Sequence, residues 1–364
     1  MTPDIGLALS GGGSRAAAFH LGCLRALHDR NLLTRVRVIS GISGGSLLAA
    51  LWAYGPERFH DFDAQTVDLL RRGLHTDILK GALNPAAVTR NLTSAARTAL
   101  ARRRPTDSPQ ATRHFNRTDA LASALTQRAF GGTDLTQVTH ARLDTVLTAT
   151  DLITGNAVRF GSARSSCAPL GTIAEPVLVS TAVAASAAFP ALLPAIERTF
   201  TFHHRGSESS RTLLLTDGGV YDNLGLSVLE PGRSAAFTPH AYEDLHYIIS
   251  CDAGRGPLGF STPHFWPGRM ARCFEITHRK AQDAARTRLH EWAAAGRIDG
   301  FVMAYLGMRD ERLPTPIPDL VPRQRVASYG TNFAVMSAGD LQALTTRGEQ
   351  LIRSLLPHYC PGLA

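Results

Sequence analysis

Val36-Arg-Val-Ile-Ser-Gly-Ile-Ser-Gly-Gly-Ser-Leu-Leu-Ala-Ala-Leu-Trp52 passes from an apolar, β-type run into a helical one through the pattern Gly41-x-Ser43-x-Gly45. A strand that turns directly into a helix needs positions without a Cβ, and Gly41 and Gly45 supply them. The hydroxyl between them is then held at a helix N-terminus, pointing outward. That setting, rather than the short pattern alone, nominates Ser43 as a nucleophile. The plainer reading of the same residues is a helix N-cap inside a glycine loop.

Upstream, Ile5-Gly-Leu-Ala-Leu-Ser-Gly-Gly-Gly-Ser-Arg15 repeats the strand-turn-helix grammar. Gly11, Gly12 and Gly13 end an apolar strand and open an apolar-periodic helix from Ala16 to Leu27. Backbone amides in such a turn, reinforced by the helix dipole, favour negative charge above them. The tetrahedral intermediate of acyl transfer carries that charge, and one preorganised donor is worth roughly 3 kcal/mol of barrier. A dinucleotide site is the rival, because Gly11-x-Gly13-x-x-Ala16 fits the G-x-G-x-x-G/A fingerprint. Its ribose-binding acid belongs about 20 residues on, yet no Asp or Glu occurs between Arg30 and Ser43.

A third element, Leu213-Leu-Leu-Thr-Asp-Gly-Gly-Val-Tyr-Asp-Asn-Leu-Gly225, places Asp217 at the carboxyl end of an apolar strand. Open α/β folds put their chemistry at such strand ends, although an ordinary Asp-Gly turn reads the same way. Thr181-Ala-Val-Ala-Ala-Ser-Ala-Ala-Phe-Pro190 is a run of small residues suited to close backbone packing.

Together these residues resemble the patatin-like phospholipase family. Gly11, Gly12, Gly13 and Arg15 meet its G-G-G-x-R/K motif, Gly41 to Gly45 its nucleophile motif, Ala185 to Pro190 its small-residue run, and Asp217 to Gly219 its D-G-G/A motif. Two positions depart: Ala16 stands where glycine is usual, and Ser10 where the plant branch carries aspartate. The likeness is anchored over residues 5 to 225 and fades beyond Asp252. It implies a three-layer α/β/α patatin-like fold with a mixed, mainly parallel central sheet. It also implies a catalytic dyad in which Ser43 attacks an acyl ester and Asp217 is the general base, with Gly11 to Gly13 as oxyanion hole. The substrate class that follows is a lipid or other acyl ester, cleaved in phospholipase A or lysophospholipase fashion with no cofactor. A solvated Asp titrates near 4 and is a poor acceptor of an alcohol proton, so partial burial must raise the basicity of Asp217. Arg15 is placed either to steer a phosphate or carboxylate or to form a structural salt bridge.

The alternative enzyme is a Ser-Asp-His α/β-hydrolase, in which the histidine follows the acid. His240, His246, His264, His278 and His290 satisfy that order, but only one strand precedes the elbow where such enzymes need several. A regulated effector or inactive scaffold is a reading of another class; intact Ser43 and Asp217 argue against it. The histidines otherwise show no zinc-type spacing such as H-E-x-x-H.

Composition agrees with an enzyme: 364 residues, 44% apolar and 19% charged, enough to bury a large core. β-type runs at 5–9, 36–40, 143–150, 211–216, 247–251 and 298–305 alternate with helical stretches, which predicts an α/β domain over 1–364 with helices on both sheet faces. A largely helical insertion over 56–132 is read as a lid or acyl-binding wall, and the C-terminal part, 261–364, has no assigned role. The net charge is +8 with Lys80 and Lys280 the only lysines. Arg90, Arg97, Arg102, Arg103 and Arg104 in the insertion are suited to an anionic bilayer surface or to plain solvation. With little aromatic interleaving they do not point to nucleic acid. No apolar run approaches membrane-spanning length and the first strand begins at Ile5, which leaves no room for a signal peptide and predicts the cytoplasm, with peripheral contact at the inner face of the membrane. Five widely spaced cysteines predict free thiols, with Cys23 and Cys251 in the core.

Overall fold

Both glycine-flanked turns fold as read. The computed structural model describes residues 4–82, 115–190, 192–243 and 245–363. Strand β1 (Asp4–Leu9) runs through the triple glycine into α1 (Gly13–His28), and β2 (Val36–Ile42) runs through Ser43 into α2 (Gly44–Tyr54). Helices α3 (Phe59–Arg72), α4 (His75–Ala82) and α5 (Arg117–Leu125) occupy the described parts of the insertion. The arginines at 90, 97 and 102–104 lie outside the described residues. The chain continues with β3 (Asp144–Asp151), β4 (Ala157–Gly161), β5 (Ser166–Cys167), β6 (Gly171–Ile173), α6 (Val179–Ser186), β7 (Ile196–His204), β8 (Ser207–Asp217), β9 (Leu245–Asp252), α7 (Trp266–Ala294), β10 (Gly300–Tyr305) and α8 (Ala338–Tyr359).

The strands form one sheet in the order β10-β9-β1-β2-β3-β4-β5-β6-β7-β8. From β10 to β3 every pairing is parallel; from β3 to β8 every pairing is antiparallel. The sheet is therefore not mainly parallel but divided into two halves. Connection length accounts for most of this: a parallel neighbour needs a crossover, whereas short links allow only antiparallel return; β6 and β7 are the exception, antiparallel although joined through helix α6. Between β7 and β8 the link is Arg205-Gly206, with φ 49° and 79°, the signs of a tight primed hairpin turn. The antiparallel half then closes on itself. β8 returns to β3, pairing Ala149 with Asp217, Thr150 with Thr216 and Asp151 with Leu215. This continues the same β3 edge that β2 occupies from Asp144 to Thr148. The carboxyl ends of β2 and β8, carrying Ser43 and Asp217, are thereby brought side by side.

In the parallel half successive side chains enter two different cores, as strand alternation requires. Ile5, Leu7 and Leu9 of β1 join α1, α2 and α8 in one cluster, while Ala8 faces Ala285, Leu289 and Trp292 of α7 in another. α8 and α1 touch backbone to backbone: a Cβ on Gly22 would lie 1.9 Å from the Thr345 carbonyl oxygen, and one on Gly348 2.2 Å from that of Phe19. The C-terminal third thus buttresses the helix that starts at the glycine turn. Arg347, fully buried, donates to the carbonyls of Leu306, Met308 and Val321 at 2.7 to 2.9 Å with the Asp310 carboxylate 2.9 Å away. A buried charge is tolerated only when paired and saturated in this way. Cys23, Cys167, Cys251 and Cys360 are buried free thiols and Cys273 is an exposed one. Among the described residues no helix is long and apolar enough to cross a membrane.

Candidate active site

Ser43 sits at φ 52° and ψ −118°, a region that L side chains avoid. Such a residue costs on the order of 1–3 kcal/mol and persists only where its surroundings over-determine it. They do so here. A Cβ on Gly44 would lie 2.1 Å from the Gly13 carbonyl oxygen, and one on Gly45 2.2 Å from that of Leu9. The two glycine turns are in backbone contact, and neither can relax without moving the other.

Ser186 locks the elbow from the opposite side. Its Oγ accepts the Ser43 N–H at 2.9 Å, donates to the Thr148 carbonyl at 2.6 Å and lies 2.7 Å from Ser46 Oγ. Its carbonyl accepts the Gly218 N–H at 3.1 Å, next to Asp217. Sequence reading absorbed Ser186 into the small-residue run around it; nothing in its spacing marks it out.

Asp217 is 3% exposed at the end of β8. Its carboxylate accepts the Gly219 N–H at 2.7 Å and is within hydrogen-bonding reach of the Ser43 side chain. Burial pushes its pKa up to about 6, and the bonds from Ser43 and Gly219 offset only part of that. Among the described residues none of its hydrogen bonds comes from a histidine.

The three glycines are not equivalent. The Gly11 N–H is spent on the Asn223 carbonyl at 3.0 Å. The N–H groups of Gly12 (φ 146°) and Gly13 (φ 60°) have no hydrogen-bond partner among the described residues. The Gly44 N–H, on the residue after Ser43, is a third open donor among them. Half-buried Asn223 wedges between the turn and the Asp217 loop: a Cβ on Gly11 would meet its Oδ1 at 2.4 Å and one on Gly219 at 2.6 Å. Reading motif by motif left Asn223 unremarked.

Arg15 is held by carbonyl and hydroxyl oxygens rather than by the salt bridge that the sequence offered as one of its two roles. Its guanidinium donates to the Ala253 carbonyl at 3.0 Å, the Tyr329 carbonyl at 2.8 Å and Thr331 Oγ1 at 3.0 Å, with no carboxylate partner among the described residues. It ties the glycine turn to the strand end after β9 and to the loop before α8. The turn is further held by the Ser14 N–H on the Asn332 carbonyl at 2.9 Å. Burial lowers the Arg15 pKa to about 10, with Arg255 adding to the effect.

Of the histidines that follow Asp217, His240 is buried against Ser166 Oγ at 3.2 Å, its pKa pushed down to about 3 by burial and then by Arg159 and Arg233. His246, His264 and His290 are exposed. His278 of α7 is the one of the five that lines the cavity next to Gly219. A cavity of about 800 Å³ lies between α7 and the loop after Asp217, lined by Gly219, Tyr221, Asn223, Arg159 and His278. Among the described residues no group of His, Cys, Asp or Glu could hold a metal ion.

The patatin-like phospholipase family model matches residues 7–229. No curated protein matches the chain. Among solved structures, human GIVD cytosolic phospholipase A2 aligns with TM-score 0.54 at 13% identity, covering 97% of this chain and 61% of that one. The same human protein in complex with methyl γ-linolenyl fluorophosphonate aligns with TM-score 0.50 at 13% identity, over 97% and 58% of the two chains. VipD from Legionella pneumophila is similar at TM-score 0.40 and 13% identity, over 99% and 68%. The chain spans about 61% of the human protein's length.

Proposed function

The chain belongs to the patatin-like phospholipase family, and on that premise we propose that it is a lipid acyl hydrolase with a Ser43–Asp217 dyad. The observation that carries the reading is the meeting of those two side chains from opposite halves of the sheet, with the carboxylate's pKa up at about 6. A base near 6 accepts a serine proton far more readily than one near 4 while remaining ionised at neutral pH.

Asp217 takes the hydroxyl proton as Ser43 Oγ bonds to the ester carbonyl carbon. The negative charge moves to the carbonyl oxygen, facing the open amides of Gly12, Gly13 and Gly44. Collapse breaks the ester bond, and the departing alkoxide takes the proton back from Asp217, leaving an acyl-enzyme. Water then repeats the sequence with Asp217 again as base, releasing the fatty acid. The Gly11 N–H, engaged by Asn223, supports the turn without joining the oxyanion hole. Arg15 is a positioning residue for the same turn. A scaffold protein has no use for a strained serine facing a buried carboxylate, both of which cost stability. The reading extends to residues 1–364 as one domain, its parallel half layered between helices, acting in the cytoplasm or at the inner face of a membrane.

The test is incubation of purified protein with mixed phospholipids and lysophospholipids, following free fatty acid by mass spectrometry. Release by wild type and none by Ser43→Ala is the expected result; equal release by both removes the assignment.

A further inference from the structure

The N-terminal half of α7 is bare. Its core burial starts at Gln282, with Ala285, Leu289 and Trp292 in the core and Arg286 paired with Asp252 at 2.5 Å; earlier contacts are polar, Arg279 to the Gly256 carbonyl and Arg272 to that of Gly259. Before that point Phe265, Trp266 and Met270 are 81%, 71% and 61% exposed, and Phe260 in the preceding loop is fully exposed. Isolated exposed apolar residues mean little, but a contiguous group of large ones marks a binding surface. Trp266, Met270 and Phe274, spaced i, i+4, i+8, share one helix face, with Cys273 beside them. Arg269 and Lys280 flank that face, Arg272 falls on the opposite side of the helix, and Glu275 is the only acid between Leu258 and Lys280. Glu275 is partly neutralised by Arg272 at 3.1 Å.

The stripe ends at the active-site lip. Phe274 stacks on His278 with centroids 5.6 Å apart, and His278 lines one cavity with Gly219, two residues from Asp217. Val220 and Tyr221 on that loop are themselves exposed.

We propose that residues 258–280 form a docking surface for an anionic lipid bilayer, holding the mouth of the Ser43 site against the membrane. A helix with an aromatic and Met face and flanking cations lies in the plane of a bilayer interface. The aromatic rings settle at headgroup depth, and cations near an anionic surface strengthen the attachment. The excess of cations over acids sets the preference for anionic lipid. That the docked lipid is then cleaved rests on the acyl-hydrolase reading; the docking does not.

Trp266 is a built-in reporter, since Trp52 and Trp292 are buried at 7% and 4% exposure. Full-length Ser43→Ala protein, which leaves vesicles intact, is mixed with phosphatidylcholine vesicles or the same vesicles carrying about 30% phosphatidylglycerol. The expected result is co-sedimentation with the anionic vesicles, a blue shift of Trp266 emission quenched by brominated acyl chains, and at least roughly tenfold weaker partition in about 0.5 M salt. Replacing Phe265, Trp266 and Met270 together by Ser weakens sedimentation by roughly 10²-fold. With Ser43 intact, the same triple variant hydrolyses a soluble short-chain ester within about twofold of wild type. No partition into either vesicle, equal partition into both, or undiminished partition of the triple variant overturns the proposal. Self-association in vesicle-free solution that the triple variant abolishes, without vesicle binding, assigns the stripe to a second copy instead. Vesicle binding with no fatty acid release by wild type sinks the hydrolase reading and leaves the docking surface standing.

Discussion

Ser43 and Asp217 face each other but are held by different physics. Ser43 comes from the parallel half of the sheet, where two βα turns interlock glycine to backbone and force it to φ 52°. Its position is a matter of steric over-determination. Asp217 comes from the antiparallel half, in relaxed strand geometry paired with Ala149. What is unusual there is its desolvation, which moves its pKa to about 6. The geometry of the proposed nucleophile and the chemistry of the proposed base are therefore set independently, and Ser186 joins them by bonding the Ser43 N–H through its side chain and the Gly218 N–H through its carbonyl.

That contrast is broken most severely at the dyad itself. Ser43→Ala should lower ester hydrolysis by roughly 10⁴-fold or more with the fold intact, as measured by kcat and circular dichroism. Asp217→Asn should cost nearly as much, and here the two residues part company in stability. A carboxylate whose folded pKa is raised from 3.8 to about 6 binds its proton more readily folded than unfolded. It therefore destabilises the fold above about pH 6, and that cost disappears as pH falls toward 4. The shift corresponds to on the order of 3 kcal/mol at most. Asp217→Asn should accordingly raise the thermal midpoint at pH 8 and have no such effect near pH 4. In wild type, kcat/KM should fall below about pH 6 as the base protonates.

Smaller effects separate the glycines and the bridge. Gly12→Ala should cut kcat by roughly 10²-fold with little change in KM, because the amides meet charge that develops only during reaction. Calorimetry on wild type should show no micromolar NAD or NADP binding. Ser186→Ala should reduce kcat about tenfold by loosening both members of the dyad. His278→Ala should stay within a few-fold, which a pH profile of unchanged shape would confirm.

The parts of this arrangement that depend on local backbone demands were legible in the sequence. Gly41, Gly45 and the triple glycine announce sharp strand-to-helix turns wherever they occur, and Asp217 closes a long apolar strand. The antiparallel half was not legible. β5 is two residues long and β6 three, too short for alternation to register, and β4 carries Arg159 among its apolar residues. Contacts that join distant segments were equally silent. Nothing in Tyr329-Gly-Thr-Asn332 indicates that this loop takes up the Arg15 guanidinium and the Ser14 N–H. That the Asn223 carbonyl takes up the Gly11 amide was equally invisible until the two segments were seen together.

The claim that Asp217, with no histidine, activates Ser43 is tested most directly by the rate of covalent modification with a fluorophosphonate. That reaction reads nucleophile activation without requiring the substrate to be known. The account predicts labelling at Ser43, slowed by roughly 10³-fold or more in Asp217→Asn and within a few-fold of wild type when His240, His246, His264, His278 or His290 is replaced by Ala. Undiminished labelling of Asp217→Asn, or a histidine variant slowed as far as Asp217→Asn while still folded, would contradict it.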